Sequence, residues 1–228
     1  TEWDGKFMLD INYAYSKDVL HYCLERDVRM VYASSAAVYG LAENFEEDPV
    51  NEKPLNVYGY SKLLFDRYLL RLPASQRANV VGLRYFNVYG PREYHKGKMA
   101  SVFYHFNNQL VGTGELKLFT ESHGCGPGEH RRDFIHVDDA VKVTLWMTKN
   151  ADVAGVFNCG TGVAETFNCV ASAIVDYHGG GDIGYVQMPT HLHDAYQSYT
   201  RASLTKLRSV GYDEEFVAAE QGTRRYLD

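Results

Sequence analysis

The stretch "NVYGYSKLLFDRYLLRLPASQRANVVGLRYF", residues 56–86, predicts a helix followed by a buried strand. Its apolar residues recur at intervals of three and four, which is the spacing of one helical face. These residues are Leu64, Phe65, Tyr68, Leu69 and Leu72. We therefore expect a helix over 59–72. The run "NVVGLRYF", 79–86, is almost continuously apolar, which is typical of a parallel strand that is covered on both faces.

The same order of helix and strand recurs along the chain. Helical spacing covers 3–26, 136–149 and 166–179, and strand-like runs follow at 30–34, 155–160 and 183–189. Two short helical patterns, 202–210 and 214–227, come last. This alternation favours an α/β fold in which helices cover a parallel sheet.

Composition and charge narrow the class of protein. The chain has 228 residues, of which 45% are hydrophobic and 23% are charged, and these values are typical of a globular protein with a sizeable core. The formal net charge of −6 gives no general attraction to nucleic acid. We therefore expect no DNA or RNA partner.

The sequence contains no membrane or secretion signal. No run of about eighteen apolar residues occurs, and "TEWDGKFMLD" lacks the layout of a signal peptide. The four cysteines, Cys23, Cys125, Cys159 and Cys169, form no C-x-x-C pair and are expected to be reduced thiols. We expect a cytoplasmic protein with no membrane partner.

Three residues in two segments indicate a site for proton transfer. Tyr58 lies four residues before Lys62, so the two side chains share one face of the predicted helix. A nearby cation helps a phenol to act as a general base. Ser35 follows the strand 30–34, at the end of a parallel strand where ligands bind. Each residue alone also fits an ordinary surface position.

With Ser35, Tyr58 and Lys62 in this order, the chain resembles the extended short-chain dehydrogenase/reductase family. The resemblance implies a Rossmann-type fold and a role for each residue. Ser35 would hydrogen-bond the substrate oxygen, and Tyr58 would move its proton. Lys62 would activate Tyr58 and hold the nicotinamide ribose.

Further segments extend this resemblance over most of the chain. "RYFNVYGPR", 84–92, implies that Asn87 meets the substrate and Val88 the nicotinamide. "RRDFIHVDDAV", 131–141, implies that Arg132 grips a substrate phosphate. Asn12, on the first predicted helix, matches a residue on the cofactor side of the site.

The segment "PREYHKGKMAS", 91–101, resembles the branch of sugar-nucleotide epimerases that inverts C6 of an ADP-bound heptose. Lys96 in this segment matches a second base that also contacts the cofactor. Inversion at one carbon needs proton transfer on two sides, which a Tyr and a Lys can provide. Less distinctive positions that match substrate contacts are Lys98, His105, Phe119, Thr120, Glu121, Ser122 and Tyr196.

The resemblance also implies ligands and a division of the chain. It implies NADP as cofactor, with NAD as the alternative, and ADP-heptose as substrate in lipopolysaccharide core biosynthesis. It implies a homo-oligomer in the full-length form. Residues 1–90 would be the remainder of a dinucleotide-binding domain that carries the catalytic residues. Residues 91–228 would be mainly a substrate-binding lobe, with segments around 131–160 returning to the sheet.

The chain does not open with the strand, G-x-G-x-x-G turn and helix that normally hold the pyrophosphate of a dinucleotide, and its first residues read as a helix. We therefore expect an incomplete Rossmann-type parallel sheet beside a smaller C-terminal α/β substrate-binding lobe. We also expect the chain alone to be marginally stable and inactive, because an uncovered strand edge favours aggregation.

Three other functions compete with this interpretation. A UDP-hexose 4-epimerase shares the Ser, Tyr and Lys. A 4,6-dehydratase of sugar nucleotides needs an acidic pair beside the site serine, but Ala36 and Ala37 follow Ser35 here. The third alternative is a truncated fragment without catalytic activity.

The Gly-rich segment "SHGCGPGEHRRD", 122–133, is predicted to be a surface loop. Its His123, Cys125 and His130 match no zinc-binding spacing. We therefore expect no metal site.

Overall fold

The computed structural model describes residues 4–190 and 196–228. The α-helices are α1 (Gly5–Leu9), α2 (Tyr15–Glu25), α3 (Val57–Arg71), α4 (Ala74–Arg77), α5 (Val102–Thr113), α6 (Val137–Lys149), α7 (Phe167–His178), α8 (Thr205–Ser209) and α9 (Ala219–Leu227). The strands are β1 (Met30–Ser35), β2 (Val80–Tyr85), β3 (Asn87–Tyr89), β4 (Glu115–Phe119), β5 (Arg131–Arg132), β6 (Phe134–His136), β7 (Gly155–Cys159), β8 (Glu165–Thr166) and β9 (Asp182–Val186). A π-helical segment, Asp10–Ala14, joins α1 to α2, and 3-10 helices cover Ala36–Val38, Pro49–Asn51 and Tyr94–Met99. Among the described residues, no helix has the length and apolar character needed to cross a membrane.

The chain folds into two compact units. The first unit contains the described residues of Thr1–Phe86, Val141–Cys159 and Ala202–Glu214. The second contains those of Asn87–Ala140, Gly160–Arg201 and Glu215–Asp228. The predicted functional division at residue 90 stays a prediction.

A parallel sheet forms the centre of the first unit. Its three strands lie in the order β1-β2-β7, with Met30 opposite Val80 and Val81 opposite Gly155. Leu20 of α2 and Leu69 of α3 are buried in the same apolar cluster as Val80. The sheet is thus covered by helices whose apolar spacing is visible in the sequence. The predicted α/β fold with parallel strands is confirmed.

The second unit contains three strand pairs and a core of aromatic and aliphatic side chains. β4 pairs with β9 and β3 with β6, both in parallel, whereas β5 and β8 are antiparallel. Phe103 of α5 stacks on Tyr89 with ring centroids 3.7 Å apart. Gly222 permits α9 to pack there, since a Cβ atom at this position would lie 1.8 Å from Tyr89 Oη.

The predicted helix 214–227 is wrong in its first five residues, since α9 begins at Ala219. The buried Asp139 carboxylate accepts a hydrogen bond from Val217 N at 2.7 Å, and Val217 is itself buried. This bond satisfies a backbone donor outside any helix. The predicted helix 202–210 shortens to α8, and the first residue of the predicted helix 3–26, Trp3, lies outside the described residues.

Candidate functional site

The carboxyl end of β1 carries Ser35, where the strand turns into the 3-10 helix Ala36–Val38. Ser35 Oγ accepts a hydrogen bond from Ala37 N at 3.1 Å and so caps that helix. The side chain is half-buried. A hydroxyl that accepts from the backbone still has its own proton to donate. Ser35 can therefore donate to an oxygen of a ligand.

Lys62 of α3 reaches back to the same strand. Its Nζ donates to the carbonyl oxygen of Ala33 at 3.0 Å and lies 6.0 Å from the centroid of the Tyr58 ring. Burial lowers the pKa of Lys62, and the nearby Asp66 opposes this change. The structure thus brings the predicted Tyr–Lys pair to the strand that ends in Ser35.

The first turn of α3 approaches the chain after Ser35 because residue 59 is glycine. A Cβ atom at Gly59 would lie 2.5 Å from Ala37 O, which is closer than real Cβ contacts. Asn56 caps the helix, since its Oδ1 accepts from Gly59 N at 2.9 Å. These contacts fix the turn that carries Tyr58.

Asn12 lies in the π-helical segment Asp10–Ala14. Its Nδ2 donates to Ser61 Oγ at 3.1 Å, and Ser61 Oγ donates to the carbonyl oxygen of Tyr58 at 2.7 Å. Single π turns occur frequently at functional sites. Asn12 is therefore held beside the same turn of α3 as the tyrosine.

A buried network of charges, which sequence reasoning missed, surrounds Asp66, about one turn of α3 beyond Lys62. Tyr32 Oη and Ser34 Oγ each donate to the Asp66 carboxylate at 2.9 Å. Arg84 Nε donates to it at 3.0 Å, and Arg84 also forms an ion pair with Glu52. Burial raises the pKa of Asp66, while Arg84 opposes this. The network ties α3 to both β1 and β2.

In the second unit, Asn87 and Val88 belong to β3 and lie opposite Phe134 and Ile135 of β6. The Asn87 side chain is exposed, and its backbone N donates to Asp133 O at 3.0 Å. Val88 is half-buried. Successive side chains of a strand point to opposite faces, so these two do not share a face.

The predicted second base, Lys96, lies in the exposed 3-10 segment Tyr94–Met99 together with Lys98. Lys96 Nζ lies 3.6 Å from Glu93 Oε2. His105 is half-buried on α5, and its ring centroid lies 5.6 Å from that of Tyr104. The two lysines are therefore accessible, whereas His105 also packs on its own helix.

Arg132 of β5 is buried among aromatic rings. Its guanidinium lies 4.9 Å from the Tyr196 ring centroid and 5.6 Å from that of Phe167, and its Nη1 donates to Arg131 O at 2.9 Å. Burial lowers the pKa of Arg132. Burial also raises the pKa of Tyr196, against the effect of Arg132. A buried guanidinium of this kind is suited to bind an anion such as a phosphate.

Phe119 and Tyr196 help to line a cavity of about 330 Å³ in the second unit. Their ring centroids are 5.9 Å apart. His130 also lines the cavity, and its Nε2 is 2.9 Å from Ser122 Oγ. Burial lowers the pKa of His130, and Arg132 adds to this effect. The cavity is thus mainly aromatic and aliphatic, with a few polar groups, as is common for small-molecule sites.

The Gly-rich segment 122–133 is not simply a surface loop, and this prediction is corrected. His130 is only 1% exposed. Gly128 is buried with a φ of 68°, and a Cβ atom there would lie 2.2 Å from Asn168 Oδ1. Asn168 Nδ2 in turn donates to Pro127 O at 2.9 Å. Gly128 therefore allows the segment 122–133 to pack on α7 and to form one wall of the cavity.

The neighbouring predicted residues lie at the end of β4. Thr120 is half-buried, and its N donates to Val186 O at 2.8 Å, which extends the pairing of β4 with β9. Glu121 is exposed and Ser122 is half-buried. The structure therefore brings Phe119 and Ser122 into one neighbourhood with Tyr196 through His130.

Within residues 4–190 and 196–228, no group of three or more His, Cys, Asp or Glu side chains is arranged to hold a metal ion. The rings of His123 and His130 are 6.1 Å apart. All four cysteines are free thiols.

A parallel sheet with Ser at a strand end, and Tyr and Lys on the following helix, defines a class of nicotinamide-dependent enzymes. The sequence model of the NAD dependent epimerase/dehydratase family matches residues 4–160. The chain belongs to this family.

A relative by sequence and two solved structures support this assignment. The chain is 53% identical over 228 residues to the ADP-L-glycero-D-manno-heptose-6-epimerase of Alkalilimnicola ehrlichii, and it covers 71% of that protein. It superposes on the crystal structure of the Helicobacter pylori enzyme of the same name with a TM-score of 0.85 at 30% identity, covering 100% of this chain and 68% of that chain. It also resembles the UDP-glucose 4-epimerase of Thermus thermophilus in complex with NAD, with a TM-score of 0.78 at 26% identity over 96% of this chain and 69% of the other.

Proposed function

We propose that this chain belongs to an epimerase that converts ADP-D-glycero-D-manno-heptose into ADP-L-glycero-D-manno-heptose through a transient 6-keto sugar. The observation that carries the proposal is the pair of Tyr58 and Lys62 beside β1, in a chain that is 53% identical to an enzyme of that name. This function would serve the synthesis of the lipopolysaccharide core.

Tyr58 and Ser35 are the groups proposed to act on the substrate oxygen in the first unit. Tyr58 would move the proton of the C6 hydroxyl, and Ser35 would hydrogen-bond the same oxygen. The fixed first turn of α3 supports this role, because a proton carrier must be held within hydrogen-bond reach of its partner. Lys62 would keep the phenol ready for proton transfer through its positive charge.

The residues around α3 fit a nicotinamide cofactor. The Lys62 ammonium and the Asn12 amide are donors in a half-buried region, which suits the hydroxyl groups of a ribose. We propose Val88 and Lys96 as further cofactor contacts, and NADP rather than NAD as the cofactor. When bound, the nicotinamide would take a hydride from C6 and return it to the other face.

Lys96 is proposed as the second proton carrier. An inverted carbon presents its oxygen in two orientations, so that a single acid–base group does not serve both equally well. The Lys96 side chain is exposed and therefore accessible to a bound sugar. Asn87 and Lys98 would help to hold the sugar, together with His105.

The aromatic cavity of the second unit is proposed to hold the ADP part of the substrate. The buried Arg132 guanidinium would pair with a phosphate, next to the rings of Phe119 and Tyr196. Thr120, Glu121 and Ser122 would contribute from the end of β4.

The direct test incubates the whole protein, with NADP, separately with ADP-D-glycero-D-manno-heptose and with UDP-galactose. We expect the first sugar to be inverted at C6 and the second to stay unchanged, with the products identified by proton NMR. Conversion of UDP-galactose alone would favour a 4-epimerase and overturn the proposal. Loss of water from either sugar would indicate a dehydratase, although Ala36 and Ala37 provide no acid beside Ser35.

Three further predictions concern the activity of the 228 residues alone, the oligomeric state and the cellular location. The 228 residues alone are expected to bind NADP weakly and to show no turnover, which a fluorescence titration tests. The whole protein is expected to form a homo-oligomer. A cytoplasmic location is part of the proposal, and the four free thiols, typical of a reducing compartment, support it.

A further inference from the structure

The segment that carries Lys96 begins at a buried carboxylate. Glu93 is 3% exposed, whereas Tyr94, His95 and the Lys96 side chain after it are exposed. Acidic side chains are seldom buried without partners. The contacts of Glu93 therefore explain why this carboxylate lies inside the protein.

Glu93 closes the segment between itself and α5. Its Oε2 accepts a hydrogen bond from Ser101 N at 2.9 Å, and its Oε1 accepts from Ser101 Oγ. Ser101 is the N-cap residue of α5 but provides no side-chain cap of its own. A carboxylate at a helix N-terminus is stabilised by the helix dipole and by free backbone N–H groups. Glu93 precedes the segment 94–100, and its carboxylate binds Ser101, which follows this segment. The two ends of the segment are thus held together.

Lys96 is tied to the same residue twice. Its backbone N donates to Glu93 O at 2.9 Å, and its Nζ lies 3.6 Å from Glu93 Oε2. The Lys96 side chain is 46% exposed, so its ammonium is held by one buried anion while it stays accessible. An exposed pair alone would contribute little to stability. The effect expected here is on the position of the ammonium.

Other charged and titratable groups around Glu93 come from two helices. Tyr226 of α9 interacts electrostatically with Glu93 and with Tyr104 of α5. Burial raises the pKa of Tyr226, and Glu93 and Tyr104 add to this. Lys96 is the positive group paired with Glu93 among the described residues.

We propose that Glu93 is the positioning residue of the second proton carrier, and that it holds the Lys96 ammonium and its loop in the geometry required for proton transfer on one face of C6. This inference rests on the proposed function. It concerns one half of the reaction only, because Lys96 is proposed to move the proton on one face of C6 and Tyr58 on the other.

The test compares Glu93→Gln with Lys96→Met in the whole protein. Each of the two C6 epimers is mixed with the protein and NADP, and the rise of reduced-nicotinamide absorbance is followed. We expect Glu93→Gln to slow the rise with the same epimer as Lys96→Met, by about 10- to 100-fold, because a displaced catalytic group loses this much. The rate with the other epimer, and KM, should change by less than about threefold.

Two further variants separate positioning from simple structural damage. Glu93→Asp keeps the charge and is expected to recover part of the lost rate. Glu220→Gln removes the exposed pair with Arg224 at 3.7 Å and should change neither epimer's rate. Amide hydrogen exchange over 94–101 should be faster in Glu93→Ala than in the unmodified protein, by about tenfold, since the loop closure is lost.

Equal slowing with both epimers, or no slowing in Glu93→Gln, would overturn the inference while the proposed function stands. If Lys96→Met slows neither epimer, the inference and the assignment of Lys96 fall together. If the unmodified protein inverts neither epimer, the proposed function itself has failed.

Discussion

The two proposed proton carriers are held in different ways. Tyr58 lies on the first turn of α3, which is fixed by the Asn56 cap and by the close approach of Gly59 to Ala37. Lys96 lies in a short exposed loop that one buried residue, Glu93, closes. Tyr58 is therefore positioned by several contacts of a helix, whereas the position of Lys96 depends on the side chain of Glu93. A single substitution among the residues that hold Tyr58 should thus displace it only slightly. Substitution of Glu93 alone should displace Lys96.

The largest expected effect is on the tyrosine. Tyr58→Phe keeps the ring but removes the proton carrier, so kcat of the whole protein should fall by about 10²- to 10⁴-fold. Cofactor affinity, measured by fluorescence titration, should stay nearly unchanged. Tyr60→Phe is the matched control, since Tyr60 lies on the same helix and is 47% exposed. A Tyr58→Phe protein with an undiminished rate would remove Tyr58 from the mechanism.

The next effect concerns the buried charges that tie α3 to the sheet. Asp66→Asn leaves Arg84 buried with one of its two carboxylate partners missing, so the free energy of unfolding should fall by about 3 kcal/mol. Urea unfolding measures this change. The exposed Asp152→Asn should stay close to the unmodified protein. A loss below about 0.5 kcal/mol would show that the network contributes little to stability.

A smaller loss is expected where α3 approaches β1. Gly59→Ala places a methyl group against Ala37 O, and overpacking of this kind costs about 1–3 kcal/mol. The displaced turn should also lower kcat. Gly112→Ala on α5 is the control, because a Cβ atom there would meet nothing within 4 Å. Equal stability of the two variants would contradict the account of this contact.

The smallest expected effect is on NADP binding, and it compares Lys62 with Lys96. Lys62→Met should weaken NADP binding by about tenfold, since one charged hydrogen bond contributes about this much. Lys96→Met should change NADP binding less, because its ammonium is exposed and paired with Glu93. Fluorescence titration of both variants measures the difference. Weaker binding in Lys96→Met than in Lys62→Met would reverse the roles assigned to them.

The sequence predicted those parts of the fold whose signal is local. The 3.6-residue spacing of Phe65 and Leu69 indicated α3, and the apolar run at 79–86 indicated β2, because both patterns follow from burial of one face or two. The helix α5 and the strand β4 were missed, although β4 alternates buried and exposed residues, with Leu116 and Leu118 inside. That alternation was the signal that could have identified it.

In the candidate site, too, only the features with a local sequence signal could be predicted. Tyr58 and Lys62 are near in sequence, so their shared face could be predicted. Asp66 and Arg84 are 18 residues apart and meet only because α3 packs on β2, so no local pattern contains their contact. The burial of His130 could not be predicted either, since it depends on the close approach of Gly128 to Asn168.

The central claim is that two different residues move the proton on the two faces of C6. Its most direct test measures reduced-nicotinamide absorbance after each C6 epimer is mixed with Tyr58→Phe or Lys96→Met in the whole protein with NADP. The account predicts that each variant is slow with one epimer, and that the slow epimer differs between the two variants. Loss of the same half-reaction in both variants would contradict it.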